Sequence, residues 1–254
     1  MLLEGKRLLV TGVLTDASIA YSIAERAQEQ GAEIVLTGVG RALRLTERMA
    51  RRLPGEPPVL EMDVNDAAHI EAVRDDLQQR WGGVDGVLHA IGFAPADCLG
   101  GDFLAAPWES VSVAVQTSAY SLAALARGME PVLTDGASIL ALDFDATVAW
   151  PAYDWMGVAK AALESVMRYT ARELGPRGIR VNCLCAGPIR TMAAKNIPGF
   201  ELFEGVWDAR SPLGWDVHDP EPVAKAAVAL LSDWTAGITA EMVHVDGGYH
   251  AMGA

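Results

Sequence analysis

Seven short apolar runs, at residues 7–10, 33–37, 58–62, 86–91, 138–142, 180–184 and 242–245, recur along the chain with longer amphipathic stretches between them. The runs lack the strict apolar–polar alternation of half-buried strands, and this suits strands covered on both faces. The intervals at 19–30, 67–81, 108–129, 153–174 and 222–234 repeat their apolar residues at helical spacing. Strand and helix in alternation predict an α/β chain, with helices on both faces of one doubly wound parallel sheet of about seven strands. No repeat, low-complexity tract or linker divides it, so residues 1–254 are expected to form a single domain. The irregular stretch 188–215, with Pro198 and Pro212, follows a late strand and is expected to be a lid.

Composition narrows the function. Over 254 residues, 51% are hydrophobic and 21% charged, which supplies a large core. A formal net charge of -13 disfavours a nucleic-acid partner, which needs a basic face. Cys98, Cys183 and Cys185 are odd in number and lack a C-x2-C pair, so buried thiols are expected rather than disulfides or zinc ligands. The five histidines show no HExxH or HxH pair, and no metal is expected. Residues 1–10 carry Glu4, Lys6 and Arg7 and do not read as a leader, and no run of about 18 apolar residues is present. A cytoplasmic protein without a membrane span is the expectation.

The first strand ends in Thr11-Gly12, and Ser18 opens the helix that follows. This is not G-x-G-x-x-G, since Gly12 is the only glycine in the turn. Two readings stand. The helix N-terminus, with its free N–H groups and the Ser18 hydroxyl, can hold a pyrophosphate. Alternatively, this is a plain strand–turn–helix with Ser18 as N-cap.

Tyr153 and Lys160 are seven residues apart on an expected helix. Seven residues turn about 700°, so both side chains share a face. A tyrosine hydroxyl can donate to a carbonyl oxygen, and a lysine beside it can hold a ribose and favour developing negative charge. The end of the fifth strand reads Leu140-Ala141-Leu142-Asp143-Phe144-Asp145, without a hydroxyl.

Taken together, Thr11-Gly12, Ser18-Ile19-Ala20, Pro151-Ala152-Tyr153, Ala159-Lys160-Ala161 and Asp143-Phe144-Asp145 resemble the enoyl-acyl-carrier-protein reductases among the short-chain dehydrogenases, almost from end to end. Asp143-Phe144-Asp145 is similar to the mycolate-pathway branch. The resemblance implies a Rossmann-like fold, NADH as cofactor and reduction of a trans-2-enoyl group carried on acyl carrier protein or coenzyme A. It implies that Tyr153, Lys160 and Phe144 are catalytic, Phe144 packing beside nicotinamide and substrate. A core phenylalanine at the strand end fits that position equally.

The resemblance also places Gly12, Ser18 and Ile19 at the pyrophosphate, and Asp63 and Val64 beside the adenine. Asp63 is equally readable as a helix N-cap, a task Asp66 can perform as well. Ile91 and Gly92 end the fourth strand, where glycine lets backbone approach the cofactor. In Ala186-Gly187-Pro188-Ile189-Arg190-Thr191, the Ile189 backbone would meet the nicotinamide amide and Thr191 the pyrophosphate. Val245-Asp246-Gly247-Gly248 reads as a structural turn.

The substrate would lie against Phe93, Phe144, Tyr153, Met156, Met192, Phe200 and Phe203, with Ile197, Leu202 and Trp207 adding to the apolar lid. This lid is shorter than in the mycolate-pathway branch, so short or medium acyl chains are expected. Lys195 and Arg210 are the candidate basic docking residues for an acidic carrier. No acid follows the second strand, and Arg41 and Arg44 keep NADPH open. A homotetramer is implied. The competing readings are a carbonyl or polyol dehydrogenase, whose spacing of four and strand-five serine are missing here, and a non-catalytic nicotinamide-binding sensor.

Overall fold

In the computed structural model, the described residues are 1–253, with backbone alone for Asn196, Leu202, Phe203 and Glu204. Seven strands form one parallel sheet: β1 (Arg7–Thr11), β2 (Glu33–Gly38), β3 (Val59–Glu61), β4 (Val84–His89), β5 (Leu133–Asp143), β6 (Arg180–Ala186) and β7 (Met242–Val245). Their order is β3-β2-β1-β4-β5-β6-β7, so the chain changes direction across the sheet between β1 and β4. The Rossmann-like expectation therefore holds, and each of the seven apolar runs overlaps a strand, with 58–62 and 86–91 reaching past the ends of theirs.

Strand side chains alternate between faces, which divides the core in two. Leu8, Val10, Ile34, Leu36, Leu88 and Leu140 pack against α1 (Ile19–Glu29), α2 (Gly40–Ala50) and α8 (Glu221–Leu231). Leu9, Val35, Val87, Ile139 and Val181 face α3 (Ala67–Trp81), α5 (Ser121–Met129) and α6 (Asp154–Leu174). Both layers are apolar on every strand they cover, which is why the runs show no polar alternation.

The expected helix over 108–129 is interrupted. After α4 (Trp108–Val115) comes a single π turn over Gln116–Tyr120, and only then α5. The turn has a use. Ser118 Oγ donates to Phe93 O and accepts from Phe93 N, both at 2.8 Å, and Ser121 Oγ lies 2.8 Å from His89 Nε2. Two serines thus fix the chain as it leaves β4.

The segment expected to be a lid is less irregular than expected. Within 188–215 the chain forms α7 (Phe200–Arg210), entered through Gly199 at φ +73°. Trp207 is the reason the helix holds to the domain, because its ring stacks on Tyr249 with centroids 3.8 Å apart. Asp246 makes the C-terminal turn structural, accepting from Gly248 N and His250 N. Cys98, Cys183 and Cys185 are free and buried. Among the described residues, no group of three His, Cys, Asp or Glu is placed to hold a metal, and no helix is long and apolar enough to cross a membrane.

Candidate active site

A cavity of about 610 Å³ opens at the C-terminal edge of the sheet. It lies beyond the ends of the paired strands β1 and β4, where the strand order reverses, the place at which open α/β sheets take ligands. Four chain segments bound it.

The first is the β1–α1 turn. Gly12 has φ +81°, and a Cβ there would stand 2.1 Å from Ala90 O. Both facts demand glycine, but the close neighbour is the β4 end, so packing alone accounts for it. Ser18 corrects the N-cap expectation. It occupies the cap position of α1 without a side-chain cap bond, and its Oγ instead accepts from Thr15 N at 3.0 Å and Leu14 N at 3.3 Å. The hydroxyl folds the turn back on itself. The first-turn amides of α1 are thereby left without a side-chain cap, with Ile19 and Ala20 lining the cavity. An uncapped helix N-terminus facing a cavity suits an anion.

The second segment follows β4, where Ile91, Gly92 and Phe93 line the cavity. A Cβ on Gly92 would meet nothing nearer than Ser118 Oγ at 3.8 Å. Among the described residues no neighbour requires glycine here, and the open space lets a ligand come close.

The third segment runs from β5 to α6. Tyr153 precedes α6 rather than lying within it, correcting the expected start of that helix by one residue. It is flanked by Ala152 at φ +59° and Asp154 at φ +42°, both in the left-handed region. Such conformations persist only where neighbours hold them. Here Gly100 N donates to Ala152 O at 3.0 Å and Gly101 N donates to the Asp154 carboxylate at 2.6 Å. The Tyr153 ring meets Phe144 edge-on, with centroids 5.2 Å apart. Burial, with the nearby Asp143 and Cys185, pushes the Tyr153 phenol well above its ordinary value. It therefore stays a proton-bearing donor.

Lys160, two turns along α6, also lines the cavity and is 8% exposed. Its Nζ donates to Leu142 O at 2.9 Å and stands 3.8 Å from Asp143 Oδ1. Sequence reasoning gave Asp143 no role of its own. Its carboxylate is fully buried, and burial raises it to about 6 despite the ammonium beside it. His89 was missed too. Burial first, and Lys160 second, lower it to about 3, so it is neutral. The Ser121 hydroxyl proton already goes to Thr117 O, which makes His89 Nε2 the donor toward Ser121. A buried histidine at a strand end beside a motif lysine is a signal the sequence carries only once the sheet is built. Ser138, the β5 serine, donates to Leu230 O and does not line the cavity, so it cannot replace the missing strand-end hydroxyl.

The fourth segment follows β6 and runs into the 188–215 stretch. Ala186, Gly187, Ile189, Thr191, Met192 and Phe200 all line the cavity, as does Met156 from α6. Gly187 is small for a reason the motif did not show: a Cβ would stand 2.6 Å from the Trp215 indole, whose Nε1 donates to Pro188 O at 2.8 Å. Thr191 Oγ1 accepts from Ala194 N at 3.1 Å.

Two expected cofactor residues stand apart from this cavity. Asp63 and Val64 do not line it, and Val64 borders a smaller one near α3 and α5. Asp63 accepts from Asn65 N, while Asp66 is the N-cap of α3, accepting from Ala68 N. The Phe203 and Leu202 side chains lie outside the described residues. Arg210 is not a free docking charge, because it bonds Met252 O and Gly253 O and covers the Tyr249 ring at 5.0 Å. Lys195 remains exposed.

Comparison with known proteins agrees with this geometry. Residues 12–250 match a family described as enoyl-(acyl carrier protein) reductase. The chain is 49% identical to an NADH enoyl-[acyl-carrier-protein] reductase of Mycolicibacterium smegmatis, over 97% of both chains. It is 45% identical to the corresponding Mycobacterium avium protein, again over 97% of each. To that of Escherichia coli it is 42% identical, over 97% of this chain and 95% of the relative.

Proposed function

Because the chain belongs to the enoyl-(acyl carrier protein) reductase family, we propose that it reduces the 2,3 double bond of a trans-2-enoyl thioester, with NADH as the reductant. The observation that carries this reading is that Tyr153 and Lys160, at the family's spacing, line one cavity with Phe144 against the tyrosine.

When bound, NADH would supply a hydride to the β-carbon of the enoyl group, and a proton taken up from solvent at the α-carbon would complete the reduction. Between the two steps negative charge collects on the thioester oxygen, and catalysis needs a donor aimed at it. Tyr153 is that donor, and its raised phenol keeps the proton available. Lys160 spends one N–H on Leu142 O and keeps donors for the nicotinamide ribose, which fixes the ring against the substrate. The uncapped start of α1 suits the pyrophosphate, with Gly12, Ser18 and Ile19 shaping the turn and Thr191 across the cavity. Ile91, Gly92, Ala186, Gly187 and Ile189 would bracket the rest of the dinucleotide, and Asp63 and Val64, which follow β3 outside the cavity, would border an adenine extending beyond it. The site fits the cofactor because an uncapped helix start and an open glycine face the same space.

The acyl group would lie along Phe93, Met156, Met192 and Phe200, delivered on acyl carrier protein or coenzyme A. The proposed setting is the cytoplasm, and the proposed assembly is a homotetramer of single domains, each with its lid at about 188–215. Exposed Trp108, Val113 and Tyr120 on the α4–α5 side, beside exposed Val158 and Tyr169 on α6, offer apolar surface for subunit contact.

The test is loss of reduced-nicotinamide absorbance with a 2-octenoyl thioester. Turnover with NADH that collapses in Tyr153→Phe supports the reading. Tight NADH binding without turnover of any enoyl thioester overturns it.

A further inference from the structure

Phe144 lines the cavity, and behind it stands a block of aromatic rings that does not. Trp150 packs on Phe144 with centroids 5.3 Å apart, and Trp207 does so at 5.8 Å. Trp150 and Trp207 are 5.1 Å apart, and Tyr249 completes the block, 3.8 Å from Trp207 and 5.9 Å from Trp150. Three separate chain segments supply these rings: the loop after β5, α7 of the lid, and the C-terminal turn.

Each ring is also tied by a polar bond. Trp150 Nε1 donates to Asp145 O, Trp207 Nε1 donates to Asp246 O, and Arg210 Nη1 reaches the Tyr249 hydroxyl at 3.4 Å. Trp207 is only 2% exposed. Interlocked rings, the two indoles held by backbone acceptors and the phenol by Arg210, form a wall that yields little, since packed interiors do not deform continuously.

An acyl chain whose thioester oxygen meets Tyr153 starts beside Phe144, because those two rings touch. The apolar lining beyond includes Met156, Met192, Ile197 and Phe200, and the last two pack against the same aromatic block. A chain that follows Ile197 and Phe200 runs toward the block. We propose that Trp150, Trp207 and Tyr249 form the stop that limits acyl length, with Trp150 as the ring that closes the space behind Phe144, so that the preferred substrates are short 2-enoyl thioesters, from butenoyl to octenoyl. This rests on the reductase reading above.

The experiment compares kcat/KM for trans-2-butenoyl, -octenoyl, -dodecenoyl and -hexadecenoyl coenzyme A thioesters in the wild type, Trp150→Leu, Trp150→Ala and Tyr249→Ala. A single rejected methylene changes discrimination by about 10–200-fold. The wild type is expected to fall at least tenfold between octenoyl and dodecenoyl. In Trp150→Ala the ratio of dodecenoyl to butenoyl kcat/KM should rise at least tenfold, with Trp150→Leu between it and the wild type. The milder leucine variant and Tyr249→Ala carry the test if Trp150→Ala fails to fold. A wild-type optimum at dodecenoyl or longer overturns the stop without any variant, and so do variant profiles parallel to the wild type. Absence of turnover with every thioester contradicts the reductase reading instead, and is recognised by the inactivity of the wild type itself.

Discussion

The Asp154 carboxylate accepts a 2.6 Å hydrogen bond from the Gly101 amide, tying the loop after β4 to the residue that follows Tyr153. Asp154 sits at φ +42°, a conformation asparagine and aspartate tolerate better than most residues. Asp154→Asn should therefore retain near-wild-type turnover. Asp154→Ala loses the strap while keeping the strained turn, at a cost of about 0.5–2 kcal/mol. Its kcat should fall several-fold with little change in NADH affinity, read by steady-state kinetics and NADH fluorescence titration. Equal kinetics in the two variants would show that the strap does not position Tyr153.

Gly12 and Gly92 border the same cavity for different reasons. Alanine at Gly12 places a Cβ 2.1 Å from Ala90 O at φ +81°, so Gly12→Ala should lose roughly 2–4 kcal/mol in a urea unfolding curve. Alanine at Gly92 meets only Ser118 Oγ at 3.8 Å, so its stability should stay within about 0.5 kcal/mol of wild type. Its NADH affinity should fall at least fivefold. Unchanged affinity would remove Gly92 from the cofactor contacts.

Two buried groups pull stability in opposite directions with pH. Burial raises Asp143 to about 6, so its contribution is fully present below its unfolded value near 3.8 and is lost as pH rises through 6, a change of about 3 kcal/mol. Burial lowers His89 to about 3, so its contribution is present above its unfolded value of 6.5 and is lost as pH falls toward 3, about 5 kcal/mol in all. Between pH 4 and 6 the two contributions oppose each other and nearly cancel, so together they leave wild-type stability with little slope. Asp143→Asn should make stability rise with pH and His89→Asn should make it fall, as measured by urea unfolding at stepped pH. The same slope in all three proteins would contradict these assignments.

Lys160 ties the cofactor site to Asp143. Lys160→Ala removes a ribose donor and leaves the Asp143 carboxylate buried without its cation. NADH binding should weaken about tenfold or more, as one or two charge-assisted hydrogen bonds are lost. Isothermal titration with NADH and NADPH checks this, and the wild type is expected to favour NADH.

The sheet was legible in the sequence because burial on both faces writes apolar runs directly into it, as at Leu8–Leu9–Val10. The Tyr153/Lys160 pair was legible because helical spacing fixes which side chains share a face. Other features depend on contacts distant in sequence. Helix α7 is held by Trp207 on Tyr249, and the π turn is recognisable only from Ser118 meeting Phe93. Ser18 reads as an N-cap by residue type, yet its hydroxyl is used up by the turn behind it. Asp143 and His89 acquire their shifted charge states from burial beside Lys160, which no local pattern records.

The central claim is that Tyr153 donates to the oxygen of an enoyl thioester during reduction by NADH. The most direct test is single-turnover loss of NADH absorbance with 2-octenoyl coenzyme A in the wild type and in Tyr153→Phe, at matched cofactor saturation. The expected result is a rate lower by about a hundredfold or more in the variant with NADH affinity within about twofold, since one hydrogen-bond donor to developing charge contributes about 2.7–4 kcal/mol. Equal rates in the two proteins would contradict it.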